Sequence, residues 1–466
     1  MNNIKTLWIA ALMLTAGAAN ANQTATISPL HSAADLPFTI TVSRAAITLP
    51  AGIHSGAYAV HNGRWLFIAG RTNGMHGFGS DPFPPEKQNT TVYVVDPVRE
   101  VIYSRDLDDA TSGLTQQQID TLSVTSPEYY QNQNTLYIMG GYGIDTTTGL
   151  FGTKPVLTAV DVPKMIAWVL DPGHAEPAVA AIRQTTSPWV QVTGGYLFFP
   201  NNHLSGLLVF GQNFTGVYTP SSNGDYTRQV RRLQVIDNGR DLFVQSRASE
   251  GINAAYRRRD LNVMPWMNGN QQALVALSGV FTLDTGIWTV PVEIAEDGST
   301  YMADPDAADT FKQGMNNYVS ASVTLHSPSL QDNYFLLIGG ITFEYYDDNT
   351  MSFKTSPQFP FTNQITTVKR DAAGSYTQYF MDERYPVILS TGTNPGNELL
   401  FGAGAYFINS PTAPQYSNQV INIDQLSEPT VLGYIVGGIM STVPNTSSQA
   451  DSTASPYVFA VTLIPR

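Results

Sequence analysis

Apolar residues along this chain gather into short runs that end in glycine, and the runs recur. Leu66-Phe-Ile-Ala-Gly70, Leu136-Tyr-Ile-Met-Gly140-Gly141, Leu207-Leu-Val-Phe-Gly211 and Leu274-Val-Ala-Leu-Ser-Gly279 have this form. So do Leu336-Leu-Ile-Gly339-Gly340, Leu399-Leu-Phe-Gly402 and Tyr434-Ile-Val-Gly437-Gly438. From Gly70 the steps to Gly140, Gly211, Gly279, Gly339 and Gly402 are 70, 71, 68, 60 and 63 residues, and the last, to Gly437, is 35. A short apolar run bounded by turn residues reads as a buried strand, and one such strand per fixed period marks a repeat architecture.

The same grammar surrounds each copy. A strand precedes it across a tight turn, as in Ala57–His61, Asn62-Gly63 and Arg64–Ala69, and Asn-Gly between alternating residues is a strong hairpin signal. Equivalent turns are expected at Asn132-Gln133-Asn134, Asn268-Gly269-Asn270 and Asn394-Pro395-Gly396-Asn397. A long polar loop follows the glycine, then further strands such as Val92–Asp96, Leu157–Asp161, Val230–Asp237, Trp288–Ile294, Ile365–Arg370 and Val420–Asp424. Helical candidates are confined to short stretches such as Thr115–Leu122. Four strands per unit of this length predict an all-β fold, a single β-propeller over residues 22–466. Separate β-sandwiches would not space one glycine-ended strand so evenly. Seven blades are expected, with six as the alternative, and Phe38–Ile47 is expected to pair with Val458–Leu463 to complete the seventh blade and close the ring. Ser441–Ser455 reads as a surface loop of that closing blade.

Composition narrows the class. Charged residues make up 13% and hydrophobic residues 42% of the 466, which excludes a disordered or coiled-coil chain. With no Cys, a disulfide framework, a thiol nucleophile and a Cys-ligated metal are excluded. Lys5, the apolar stretch Leu7 to Ala19 and Ala19-Asn20-Ala21 have the form of a signal peptide cleaved after residue 21. Export to the periplasm or the medium is therefore expected. The apolar stretch falls short of the ~20 residues that span a bilayer, so no membrane insertion is expected. Cleavage removes one of the 24 basic residues and none of the 37 acidic ones, leaving 23 against 37, or −14. That charge disfavours nucleic acid and anionic lipid.

The glycine pair ending an apolar strand resembles the kelch family, the galactose-oxidase type of β-propeller. Kelch blades also carry a Tyr and a Trp at fixed later offsets, for which Trp288 and Trp168 are the counterparts here. The resemblance implies a propeller. The copper-radical site of galactose oxidase needs a Tyr–Cys crosslink, which a chain without Cys cannot make.

In a propeller, the loops after each second strand and the lead-in to each new blade open on one face. Here the loops Arg71–Asn89, Tyr142–Pro155, Gln212–Gln229, Thr342–Asn363 and Ala403–Asn418 are long, which selects that face for binding. Their first residues supply Arg71, Asn73, His76, Tyr142, Gln212 and Asn213. The lead-ins supply Arg257, Arg258 and Asp260, and Lys312, Asn316, Asn317 and Tyr318. Two readings stand for the Arg cluster: a solvated turn with weak surface ion pairs, or a cationic mouth for a carboxylate ligand. The amides suit hydroxyl-rich sugars or the bracing of long loops. Asp304, Asp306 and Asp309 lack the Gly and terminal Glu of a calcium loop. No His pair has helical ligand spacing, although His54 and His76 can converge from neighbouring elements. Neither a metal nor a cofactor is expected.

Two functions fit. One is a glycan- or protein-binding propeller. The other is an exported lyase or epimerase for an acidic sugar, with His76, Tyr142 and Tyr318 as acid–base candidates and Arg71, Arg257 and Lys312 stabilising charge.

Overall fold

Leu66, Phe67 and Ile68 are wholly buried, whichever face of the strand they lie on. A strand apolar on both faces needs a layer on each side, and that requirement organises the whole molecule. The computed structural model describes residues 27–77, 81–219, 224–446 and 448–466, so the expected signal peptide lies outside it.

The described residues form six four-stranded antiparallel sheets in chain order. The first comprises Ala57–His61, Arg64–Ile68, Thr91–Asp96 and Val101–Asp106, and the second Glu128–Asn132, Thr135–Met139, Val156–Asp161 and Ile182–Thr186. The third comprises Tyr196–Phe198, Ser205–Val209, Val230–Asp237 and Leu242–Ser246, and the fourth Asn262–Asn268, Gln271–Leu277, Val292–Ala295 and Thr300–Met302. Ala321–Ser327, Asp332–Ile341, Phe361–Arg370 and Tyr376–Arg384 make the fifth, to whose edges Leu30–Ser32 and Ile421–Asn422 add in parallel. The sixth joins Tyr406–Asn409, Thr430–Val436 and Tyr457–Pro465 to Phe38–Thr48 from the other end of the chain.

The core is a set of seams between successive sheets. Leu66 and Val94 meet Leu136 and Ile138; Met139 and Leu157 meet Leu208 and Leu233; Val209 meets Leu274 and Ala276. Trp266 and Val275 meet Phe335 and Leu337, and Ile338 and Ile365 meet Ile435 and Val461. The last seam returns to the start, packing Tyr406, Val436 and Val458 of the sixth sheet on Trp65, Phe67 and Val95 of the first. The arrangement is propeller-like.

The expected pairing of the two chain ends is present, from Phe38 opposite Pro465 to Arg44 opposite Phe459. It completes the sixth sheet, however, and no seventh four-stranded sheet occurs among the described residues. The remaining copy of the motif, Leu399-Leu-Phe-Gly402, belongs to none of the six. At or just past the end of its second strand every sheet makes two successive left-handed residues: Ala69-Gly70, Gly140-Gly141, Phe210-Gly211, Ser278-Gly279, Gly339-Gly340 and Gly437-Gly438. This double step explains the glycine pair. At Gly140 a Cβ would stand 1.9 Å from the Val192 carbonyl oxygen, and φ is +62°. Gly402 has no left-handed residue before it, and Leu400–Ala403 belongs to a separate three-stranded sheet with Ile439–Ser441 and Ser452–Ala454. Ser441–Ser455 is thus partly strand rather than all loop. The Asn394–Asn397 turn joins no first two strands; Asn394 and Asn397 instead reach Thr442.

Two α-helices are inserted between strands among the described residues. Gln116–Leu122 starts at Thr115, whose hydroxyl and Gln118 form a reciprocal cap. Val162–Leu170 starts at Asp161 with Pro163 in its first turn. The second helix carries Trp168, so that residue is not a blade tryptophan; its ring lies under the Arg105 guanidinium. Among the described residues no helix is long and apolar enough to cross a membrane.

Phe38, Ile40 and Val42 each bury nearly all their surface in the last sheet, at about 1.5–3 kcal/mol per side chain. Deleting residues 22–50 is therefore expected to abolish cooperative thermal unfolding, measured by calorimetry; an unchanged transition would contradict the pairing.

Candidate functional site

Each inner strand is approached by the same three-residue step. Counting two residues back from its first residue gives Ser55, Ser126, Gly194, Asp260, Val319 and Gly404. The backbones of these six residues are joined head to tail. Ser126 N–H donates to Ser55 O at 2.7 Å, Gly194 to Ser126 at 3.1 Å, and Asp260 to Gly194 at 2.8 Å. Val319 donates to Asp260 at 2.9 Å, Gly404 to Val319 at 3.1 Å, and Ser55 to Gly404 at 3.1 Å. The cycle closes on itself as a ring, here termed the septum, and all six of its residues line two cavities.

On the loop-rich side lies a cavity of about 110 Å³. One residue before each septum position stand His54, Thr125, Thr193, Arg259, Tyr318 and Ala403, and all six line it. Directly after the left-handed pairs stand Arg71, Tyr142, Gln212, Val280, Ile341 and Ile439, and all but Val280 line it too. The first three sheets thus contribute a polar wall and the last two an apolar one. Phe83, Phe214 and Tyr218 add aromatic surface.

Arg71 is 3% exposed. Its Nε donates to Asn73 Oδ1 at 2.9 Å and its Nη2 to Pro84 O at 2.8 Å. Among the described residues Nη1 has no hydrogen bond, and the guanidinium has no carboxylate at ion-pair distance. Burial lowers its pKa to about 10, so it stays charged at neutral pH. Arg259 is held on three sides: Nε on Tyr226 Oη, Nη2 on Tyr218 Oη, and Nη1 on Asp260 Oδ2 at 2.5 Å. His54 Nε2 lies 3.0 Å from the Asn73 carbonyl and Nδ1 lies 3.0 Å from Ser55 Oγ. The carbonyl can only accept, so Nε2 carries the hydrogen and Ser55 donates to Nδ1. Burial and the neighbouring Arg71 hold His54 down at about 3. Burial, with Arg259 and Arg71, holds His76 down at about 4, and its ring stacks on Phe83 with centroids 5.1 Å apart. Burial pushes Tyr142 up to about 12, and its hydroxyl donates to Gly216 O. Tyr318 is raised by burial and by Asp260. The cavity lining holds two guanidinium groups, two neutral imidazoles and one carboxylate, Asp260, while Asp81 and Glu86 act on Arg71 from outside the lining.

Of the candidate residues, Arg71, His76, Tyr142, Gln212, Asp260 and Tyr318 line this one cavity. The others do not. Asn73 braces Arg71 behind the wall. Asn213 pairs with Asp225 in a two-residue ladder. Arg257 lies over the Tyr226 ring and donates to Phe281 O. Arg258 is wholly buried, donating to the carbonyls of Ala255, Ser278 and Val290. Lys312 is tied by its backbone to Ser28, away from the cavity. Asn316 and Asn317 are buried braces: Asn316 donates to Gly339 O and Gln364 O, and Asn317 donates to Ser278 Oγ. The sequence let His54 converge with His76 and set Arg259 within the arginine cluster without naming either as a wall residue; the count back from each inner strand finds both.

Below the septum Glu128 is 1% exposed; Oε1 accepts from Gly195 N at 2.7 Å, and Oε2 has no partner. Burial pushes it up to about 8. A carboxyl raised on folding leaves stability intact below its unfolded pKa and loses it as pH climbs to the folded value. Glu128→Gln is therefore expected to match the wild type near pH 4.5 and to exceed it at pH 8, by on the order of 3 kcal/mol. Urea unfolding across pH checks this; parallel profiles would contradict it.

No family model matches the chain, and no curated protein matches it significantly. A solved structure titled "Structure of YjhT" is similar at TM-score 0.45 and 11% identity, over 88% of this chain and 95% of that one.

Proposed function

We propose that this chain is an exported, divergent kelch-like propeller whose six sheets are the blades of a closed ring, and that it binds a small acidic sugar in the cavity above the septum. The observation that carries the ligand is Arg71: a buried guanidinium at a cavity wall, with one nitrogen free of hydrogen bonds among the described residues and the Asp81 and Glu86 carboxylates beyond ion-pair distance. A buried charge is stable only when paired, and a ligand carboxylate supplies the pair in the fork geometry that Arg offers. Tyr142, Gln212, Tyr218 and Thr193 suit ring hydroxyls, and Ile341 and Ile439 suit the apolar face of a pyranose. The enclosure favours a sugar over a protein ligand. The cyclic septum and the seam between the last and first sheets support six blades and closure.

Calorimetric titration of the wild type with glucuronate and galacturonate, against glucose and galactose, tests the ligand. The uronates are expected to bind about 10–100-fold tighter, the value of charged hydrogen bonds. Equal binding of the neutral sugars, or none by either, would overturn the reading. Mass spectrometry of the protein from its producing cell is expected to show Asn22 as the first residue.

A second reading, an epimerase or lyase, rests on Tyr318 and His76 facing the same cavity. A neutral imidazole can take a proton while Arg71 stabilises the charge left behind. Exchange of a sugar C–H for deuterium in heavy water, lost in Tyr318→Phe, supports it; no exchange leaves binding alone.

A further inference from the structure

The cavity beyond the septum differs from the first in size and in sign. It is a channel of about 900 Å³ running between the inner strands of all six sheets. Tyr58, Tyr129, Tyr130, Tyr196 and Tyr406 line it, from the first, second, third and sixth sheets. Tyr58 stands edge-on to Tyr129 and to Tyr406, with centroids 5.6 and 5.8 Å apart. The channel lining contains Glu128 and Asp260, but no Lys, Arg or His among the described residues. Asp260 is already paired with Arg259 on the other side of the septum. Glu128 is left with a partnerless buried oxygen. The segment carrying Ser417 and Asn418 reaches from the sixth sheet to Gln272 and Met267 of the fourth, so the mouth is partly strapped.

Aromatic faces attract cations through the negative side of the π system, more so where water is excluded. A channel walled by tyrosine, floored by carboxyl groups and empty of basic side chains repels an anion and offers a cation several partners. We infer that this channel is a second binding site, for a small organic cation of the quaternary or alkylammonium class. It lies across the six-residue ring from the acidic-sugar cavity, both cavities being lined by that ring, and the two have opposite charge preference. Glu128 faces Asp260, which favours its neutral form, and Arg231, which favours its ionised form, besides the Gly195 N–H. A bound cation favours the ionised form, so binding at pH 7 releases a proton.

The test compares choline with 3,3-dimethyl-1-butanol, its uncharged isostere, by calorimetry at low salt. Choline is expected to bind about tenfold tighter or more, with proton release at pH 7 that Glu128→Gln removes. Tyr129→Leu and Tyr196→Leu are each expected to weaken choline several-fold and to leave uronate binding unchanged. Equal affinity for the isostere, or no choline binding, overturns the inference, and this comparison needs only the wild type. Choline binding that survives both leucine variants, with folding shown intact, also overturns it.

Discussion

Arg71→Met is expected to lose uronate binding by about 2–5 kcal/mol, the cost of removing one member of a buried hydrogen-bonded charge pair. By affinity that is about 30-fold to several thousand-fold. The effect is large because the guanidinium is desolvated, so no bulk water screens what it does to a carboxylate. Arg71→Lys keeps the charge and loses the planar fork, and an intermediate loss is expected. Since Arg71 also holds the Pro84 carbonyl and Asn73, thermal unfolding of both variants accompanies the titration. Lys164→Ala is the control: its side chain is 46% exposed, on the second helix, paired with Glu176. Its uronate affinity is expected to equal that of the wild type. If Arg71→Met binds as the wild type does, the cavity does not select for a carboxylate.

The second large effect falls on stability. A cationic mouth would have made Arg258→Ala a binding variant that leaves folding intact, but the side chain is fully buried and faces inward. Burial lowers its pKa to about 9, so it remains charged, held by three carbonyl oxygens and lying over the Trp288 ring. Arg258→Ala opens a cavity and orphans those carbonyls, each worth about 1–3 kcal/mol. A loss of about 3–5 kcal/mol in urea unfolding is expected. Arg258→Met refills most of the volume but leaves the carbonyls unpaired, so it is expected to recover only part of the loss. A variant with wild-type stability would contradict the buried role.

Arg258 and Arg259 also show where sequence reading stops. Neighbouring residues of an extended segment point to opposite sides, which separates Arg258 from Arg259, while Arg257 closes the turn Ala254–Tyr256, so Arg259 alone of the three lines the cavity. No composition argument says which. The alternation becomes readable once the inner strand starting at Asn262 is fixed. Arg71, Tyr142 and Gln212 were legible because each directly follows the glycine that ends an apolar run and opens a long loop. Asn316 and Asn317 were misread because an amide that braces buried carbonyls has the same letter as one that meets a sugar. The repeated strand, its hairpins and the pairing of the chain ends could all be read from pattern. The sheet number could not, because Leu399–Gly402 copies the motif without its double left-handed turn.

A crystal structure grown with glucuronate tests the central claim most directly. The expected result is a sugar in the loop-side cavity, with its carboxylate about 2.7–2.9 Å from the Arg71 guanidinium and its hydroxyls toward Tyr142 and Gln212. A cavity that stays free of sugar at saturating glucuronate, or a sugar whose carboxylate points away from Arg71, would contradict it.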